Sequence, residues 1–446
     1  MTSEPAGGSD PLTRANREFA QVYPGERAAR QPVHTVYGGG HLFRRDTAPK
    51  LGQLARRALQ EYGGSADRFG VAVGVAPGLA DAVYARVAAK LDREAVEDFR
   101  IDFEDGYGNR PDSEEDGHVA QAAGEVAAGQ LAGMLPAFLG IRVKPLNEEL
   151  RRRSLRTLEI FLTTLVERGG TLPTGFVITL PKITIPEQVA HVGVALGALE
   201  HRLGLPEGTV PLELMVEMPQ AIIDAEGRCP LAGLVAAGAG RVRGAHFGTY
   251  DYTAGLSITA ACQRMSHPAC DFAKGVMQVA LAGTGVWLSD GATGIMPVPI
   301  HRAPEGTTLS PSEQAENRAS VHRAWALHYA DVRHSLETGF YQGWDLHPAQ
   351  LPTRYAAIFA FFLEGLEAAG ERLRNFLDQA AQATLVGDVF DDAATGQGLL
   401  NYFLRAINSG AVSEADATRM TGLTADDFQS RSFGRILERR RPGLSG

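Results

Sequence analysis

The sequence has little cysteine, no long apolar run and no excess of positive charge, and each shortage removes a class of protein. Its three cysteines, Cys229, Cys262 and Cys270, are odd in number, and none lies in a C-x-x-C pair. Neither a disulfide framework nor a zinc knuckle is implied, and a reducing compartment is the default. Lys and Arg together number 43 against 52 Asp and Glu, a formal charge of -9. A chain built to neutralise phosphate backbones needs the opposite balance, so nucleic acid is not an expected partner. The opening residues, MTSEPAGGSDPLTR, carry acid and proline where a signal peptide needs a basic start and an apolar core. No run reaches the ~18 apolar residues of a membrane span, so the expected location is cytoplasmic, with no membrane partner.

What is present is ordinary globular material: 446 residues, 44% apolar and 21% charged, enough for a large core in one domain with appendages or in two domains. Short apolar or β-branched runs, each ending in polar residues, recur between stretches of helical pattern. They are PVHTVYGGG from 32, FRIDFED from 99, GIRVKPL from 140, GFVITLPK from 175, LELMVEM from 212, GAHFGTYD from 244, GVWLSDG from 285 and GWDLHP from 343. Strands alternating with helices specify a parallel sheet. The polar strand ends are evenly spaced: Glu104 to Arg142 is 38 positions, Arg142 to Lys182 40, Lys182 to Glu217 35, Glu217 to Asp251 34 and Asp251 to Asp290 39. One βα unit repeated at this step, about eight times, predicts an α/β fold of the (β/α)₈ TIM-barrel type. The rival, an open doubly wound sheet, usually shows a glycine-rich phosphate turn after an early strand, of which GGGH at 38–41 is a faint version.

The expected organisation is a polar N-terminal arm over residues 1–30, a catalytic barrel over 31–355 and a helical C-terminal extension over 356–446. The segment FGVAVGV, residues 69–75, breaks the rhythm as an inserted strand or the true first one. Residues 351–440 read as helical throughout, with YAAIFAFFLEGLEAAGERLRNFLDQAAQ amphipathic and packed on the barrel or on a neighbouring subunit.

In a parallel barrel the C-terminal strand ends open on one face and converge there. These ends carry Asp102, Glu104 and Asp105, Arg142 and Lys144, Lys182, Glu217, Asp251, Asp290 and His347. Glu217 and Asp251, on adjacent strands, would repel unless a cation sat between them. Mg²⁺ suits such a pair, because it keeps several waters and takes one or two protein carboxylates, leaving room for a chelating 2-oxo acid or enolate. The plainer alternative has Glu217 capping the following helix and Asp251 paired with Arg241 or Arg243. Arg142 is the natural holder of a substrate carboxylate, since its planar fork binds one bidentately; its alternative is a salt bridge to Glu104 or Asp105 that closes the barrel end. In DFED, Asp102 and Glu104 share one side of the strand while it lasts. His34, His41, His246, His267 and His347 are bases by chemistry, of which most are expected to be structural. Lys182 allows Schiff-base chemistry but serves as readily as a carboxylate partner.

Taken in order, DFEDGYG, IRVKPL, ITLPKI, LMVEMPQAI, HFGTYDYTAG and GWDLHPAQL resemble the strand-end motifs of the citrate lyase beta subunit/HpcH–HpaI aldolase family, within the phosphoenolpyruvate/pyruvate barrel superfamily. The resemblance runs from about residue 31 to 355. It implies a Mg²⁺-dependent carbon–carbon lyase or aldolase working through a metal-stabilised enolate, with Mn²⁺ as a substitute metal. Carried over position by position, Glu217 and Asp251 bind the metal, Arg142 binds substrate, and Glu104 and Asp105 are the acidic pair after strand two. Arg142, Glu104 and Asp105 are the expected catalytic residues, and Gly248 and Thr249 beside Asp251 are expected to bind substrate with Arg142. His347 matches the I-H-P-x-Q position and is expected to shape the turn. TYDY at 249–252 resembles the W-D-Y segment of malate synthases, so a malate-synthase-like condensing enzyme stays open, as does a non-catalytic metal- or ligand-binding barrel. YGGGHLFRR replaces the short loop that helps hold CoA in thioester lyases, and the insertion at 62–98 lengthens the chain. The expected small-molecule partner is therefore a 2-oxo acid or a CoA thioester. A homo-oligomer is also expected, since the apolar IFAFFLEGL face wants a cover.

Overall fold

Eight short strands follow one another around a barrel, each parallel to the next. The computed structural model describes residues 10–378, 384–386, 389–391 and 393–440. The strands are β1 His34–Gly39, β2 Asp98–Asp102, β3 Phe138–Arg142, β4 Phe176–Leu180, β5 Leu212–Val216, β6 Val242–Phe247, β7 Trp287–Ser289 and β8 Gly343–Asp345. Sequence neighbours are sheet neighbours from β1 to β7, and β8 pairs with β1. Between β7 and β8 there is no regular ladder. The ring is drawn together there by the Asp290 N–H on the Gln342 carbonyl at 2.8 Å, the Trp344 N–H on the Gly291 carbonyl at 3.0 Å, and a bridge from Ala292 to Trp344. The expected (β/α)₈ barrel is thus present, nearly closed and with one weak seam.

Strand alternation sorts the residues into two environments. Phe99, Ile101, Leu139, Ile141, Ile178, Leu180, Leu212, Leu214 and Phe247 are buried in the apolar layer against the helices. The residues between them fill the barrel, and many are charged. Arg100 of β2 ion-pairs with Asp98 and, at 2.6 Å, with Glu213 of β5, and it donates at 3.0 Å to the Thr179 hydroxyl on β4. His246 of β6 stands 3.1 Å from Glu213, and Thr35 of β1 donates to Asp98 at 2.8 Å. Desolvation would push the Glu213 carboxyl up, but Arg100 and His246 outweigh it and hold it well below the usual range. A charged layer of this kind specifies its partners tightly, because removing one member strands the others in a low dielectric.

Several expectations change. FGVAVGV is helical, not a strand: Ala66–Val73 form a helix that buries Phe69, Gly70 and Val73. Ser65 caps its first turn by accepting from the Arg68 N–H at 3.3 Å, and Gly74 closes it at φ 91°. Its β-branched residues imitate a strand, whereas the burial spacing is that of a helix face. The N-terminal arm contains a helix, Pro11–Val22, with none of its residues buried.

The C-terminal extension is helical in Leu351–Glu364, Leu366–Asp378, Ala393–Asn408, Glu414–Thr421, Ala425–Ser430 and Phe433–Arg440, but it also contains an antiparallel pair of short strands, Thr384–Val386 and Val389–Asp391. The amphipathic stretch breaks at Gly365, and its last residues lie outside the described ones. Ile358, Phe359 and Phe362 are buried within this one chain, so the apolar face that motivated a homo-oligomer is already covered. Among the described residues no helix is long and apolar enough to cross a membrane.

Arg100→Ala would leave Asp98 and Glu213 facing each other without their cation. A loss of about 3–5 kcal/mol is expected, the scale of a broken buried ion pair, read as a lower urea midpoint at unchanged slope. A loss below ~1 kcal/mol would mean that the barrel interior takes up water in compensation.

Candidate active site

At the C-terminal mouth of the barrel the strand ends enclose a cavity of about 500 Å³ bordered by Asp102, Asp105, Arg142, Glu217, Gly248, Thr249 and Asp251. Tyr37, Tyr250, Trp344 and Leu346 supply apolar wall. Arg142 ends β3 and is 4% exposed. Its Nε and one terminal nitrogen grip the Asp102 carboxylate at 2.8 and 2.6 Å, and the other terminal nitrogen lies 2.9 Å from Glu104 and 3.7 Å from Asp105. The guanidinium stacks over the Tyr37 ring, 4.8 Å from its centroid. The expectation that the fork waits for a substrate carboxylate is corrected here, because Asp102 already occupies its bidentate edge. The remaining terminal nitrogen is paired with Glu104, so the salt-bridge alternative holds as well.

Lys182, just beyond β4, adopts φ 51°. Left-handed backbone at a non-glycine residue is strained, and here it turns the Lys182 N–H onto Glu217 Oε1 at 2.8 Å. Its ammonium ion-pairs with Glu104 and stands 3.5 Å from both Asp105 and Asp251. Burial would lower its pKa, but Glu217, Glu104 and Asp105 outweigh that and raise it. A lysine held this firmly protonated is no Schiff-base nucleophile.

Glu217 follows β5 and is 1% exposed. Burial, opposed by Lys182 and Arg142 and reinforced by Asp251 and Glu104, pushes its carboxyl up to about 8. A side chain at position 248 would collide with it: a Cβ there would come within 2.5 Å of Glu217 Oε2, so the glycine is what admits the carboxylate. Asp251 lies four residues beyond β6, in the first turn of the helix Thr249–Gly255, and its side chain is 37% exposed. The alternative pairing with Arg241 is excluded, since that residue is bidentate to Glu200 at 2.6 and 2.7 Å. Thr249 Oγ1 is buried without a hydrogen-bond partner.

Arg142, Asp105, Glu217, Gly248, Thr249 and Asp251 border this cavity, and Glu104 contacts Arg142 there. Glu104 is 8% exposed with its carboxyl raised by burial, while the Asp105 side chain is 61% exposed and held low because Arg142 and Lys182 outweigh desolvation. Two expected strand-end charges are elsewhere. Asp290 turns outward to Lys274 at 2.9 Å and Ser335 at 2.7 Å, and Lys144 reaches the Phe103 carbonyl at 2.7 Å and Glu115 at 3.0 Å. His267 and His347 cap turns, accepting from the Ala269 and Ala349 N–H groups at 3.1 and 3.2 Å. His34 is buried 3.0 Å from Asp345. The role of Asp102 in orienting Arg142 was masked in the sequence by its two acidic neighbours.

The donor set fits a hard cation. Among the described residues no group of three or more His, Cys, Asp or Glu could hold a metal, which excludes a closed structural zinc centre. Two carboxylates on one cavity, one of them too buried to ionise without a nearby positive charge, match an ion that completes its shell with water or substrate.

The geometry defines a TIM barrel with an acidic, arginine-gated mouth and a C-terminal extension. The chain belongs to the family described as domain of unknown function, DUF6986, whose model matches residues 12–436. No curated protein sequence matches it. Among solved structures it is similar to a citrate lyase from Burkholderia xenovorans LB400, at 19% identity over 90% of this chain and 99% of that one, with a TM-score of 0.55. A Haloferax volcanii malate synthase in a magnesium and glyoxylate complex matches at 14% identity over 90% of this chain and 100% of that one, with a TM-score of 0.45. At these identities the likeness is one of fold.

Metal-free protein keeps a proton on Glu217 to about pH 8, while the unfolded chain releases it near the ordinary value of 4.5. The folded state binds more protons between those limits, so stability falls as pH rises through the window. The melting temperature of EDTA-treated protein should drop as pH rises from 4.5 to about 8, the Glu217→Gln variant should lose that component, and Mg²⁺ should restore the wild type. Identical pH curves for wild type and variant would contradict the assignment.

Proposed function

We propose that this chain is a Mg²⁺-dependent carbon–carbon lyase or aldolase of the citrate lyase beta subunit/HpcH–HpaI type, acting on a 2-oxo acid or a CoA thioester. The observation that carries the reading is the convergence of Glu217, Asp251 and Arg142 on one cavity at the C-terminal mouth. Glu217 and Asp251 would hold the metal, with Mn²⁺ able to replace Mg²⁺. Bound there, the ion would polarise a substrate carbonyl and offset the negative charge that develops as the adjacent carbon–carbon bond breaks or forms.

The chain's own residues account for the rest. Arg142 would meet a substrate carboxylate with the terminal nitrogen it now gives to Glu104, while Asp102 on its other edge keeps the guanidinium from turning away. Thr249 supplies an unpartnered hydroxyl, and Gly248 leaves the floor open beside Glu217. Asp105 is the exposed carboxylate on the wall, placed to accept or return a proton at a substrate hydroxyl. Lys182 keeps Asp105 ionised and steadies Asp251. The same arrangement serves cleavage and condensation, and Tyr37 and Trp344 give the reacting end an apolar wall.

Titration of Mg²⁺-loaded protein with glyoxylate, pyruvate and oxaloacetate, with and without acetyl-CoA, tests the reading. A metal-dependent response to an oxo acid alone supports an aldolase, and a response that needs the thioester supports the CoA-using lyases. No response to any of them would leave a barrel that binds ligands without turnover. Arg142→Lys should keep Mg²⁺ binding while weakening oxo-acid binding by about 1.5–3 kcal/mol, the scale of a hydrogen bond to a charged group. Unaltered oxo-acid affinity in a folded variant would remove Arg142 from the substrate site.

A further inference from the structure

A second cavity, of about 340 Å³, lies at the opposite end of the barrel. Its walls come from the residues just before β1, β7 and β8 and from the C-terminal extension: Arg27 and Gln31, Val286 and Trp287, Tyr341, and then Arg405 and Arg431. It sits under the seam where β7 and β8 lack a regular ladder. The cavity therefore has a structural origin, in that the ring opens at this point and the extension covers the gap.

Its charges do not balance. Arg27, Arg405 and Arg431 border it, and among the described residues Glu26 is the one acidic residue that does so. Glu26 is already taken by Arg405, which grips it at 2.7 and 2.9 Å, donates to Gln31 at 2.8 Å and stacks over the Tyr341 ring. Arg431 donates to the Ala28 carbonyl at 3.1 Å, and the carboxylate that attracts it, Glu26, is the one Arg405 already grips. Arg27 has no hydrogen-bond or ion-pair partner among the described residues, and the charge that acts on it is another cation, Arg243. Burial, with Arg243 beside it, lowers the pKa of Arg27, and burial together with Arg405 lowers that of Arg431 despite the opposing pull of Glu26. Partly buried guanidinium groups without counter-charges are costly, and each presents a planar fork suited to carboxylate or phosphate.

We infer that this cavity is a binding site for a small organic anion carrying two or more negative charges, held by Arg27 and Arg431 with Arg405 at its edge. Its volume is in the range of small-molecule sites, and Trp287 and Tyr341 offer an apolar surface to the carbon frame. The occupant would bridge the segment before β1 to the extension across the barrel's weak seam. Binding at this end would thus brace the barrel from below while leaving the mouth free. The assignment stands apart from the proposed reaction and uses none of its residues.

Tricarballylate and pyrophosphate are suitable probes, one a polycarboxylate and one a phosphate, because neither has the 2-oxo group expected at the mouth. Calorimetric titration in metal-free buffer should show saturable binding of at least one, with sodium chloride at matched ionic strength giving none. Arg27→Gln and Arg431→Gln should each weaken it by about tenfold or more, and Arg142→Lys should leave it unchanged. Arg27 makes no hydrogen bond or ion pair among the described residues, and Gln keeps most of its stem, so that variant is expected to fold normally. A preference for one probe identifies carboxylate or phosphate as the natural head group. The proposal is overturned if neither probe binds saturably, if both arginine variants bind as wild type does, or if the binding is lost in Arg142→Lys.

Discussion

The structure depends on matching every carboxylate inside the barrel with a positive charge. Inward-facing positions of β2 and β5 carry Asp98, Asp102 and Glu213, where an ordinary barrel would place branched aliphatic residues. Burying them is tolerable only with cations in contact. Arg100 serves Asp98 and Glu213, Arg142 serves Asp102 and Glu104, and Lys182 serves Glu104, Asp105 and Asp251. Glu217 is treated differently: the hydrogen bond it accepts comes from the Lys182 backbone N–H. The ladder of charges rising through the barrel thus ends at a carboxylate whose compensation is incomplete, in a cavity open to solvent.

That incompleteness separates the mouth from the layers beneath it. Lower down, each acid is bound to fixed side chains and is committed to holding the barrel together. At the mouth, Asp251 sits on a helix rather than a strand, Asp105 is largely exposed, and Thr249 Oγ1 lacks a partner. These groups have spare capacity for a ligand. The lower layers keep them in place: Tyr37 lies beneath Arg142, and Trp344, which stacks on Tyr37 at 4.7 Å, donates to His246 at 3.3 Å.

Much of this was legible in the sequence because the repeat step and the polar strand ends report topology directly. Parallel strands 34 to 40 residues apart can scarcely form anything but a barrel or a doubly wound sheet, and the charges at their ends had to meet. Local pattern failed where two structures share one composition. FGVAVGV offers β-branched residues in a short apolar run, and only the cap at Ser65 and the glycine at 74 mark it as helical. The allocation of Arg142 was also hidden, since DFED presents three acids in four positions and alternation lapses once β2 ends at Asp102. The lower arginine cavity could not be read at all, because Arg27, Arg405 and Arg431 are brought together only by the packing of the chain's two ends.

The central claim is that Glu217 and Asp251 share one divalent cation at the barrel mouth. Crystals grown with Mn²⁺ and measured for its anomalous scattering would locate the ion without reliance on activity. The account predicts a single strong peak between the two carboxylates, inside the cavity that Arg142 borders, and its loss in crystals of Asp251→Asn. A peak elsewhere on the chain, or none at the mouth at millimolar Mn²⁺, would contradict it.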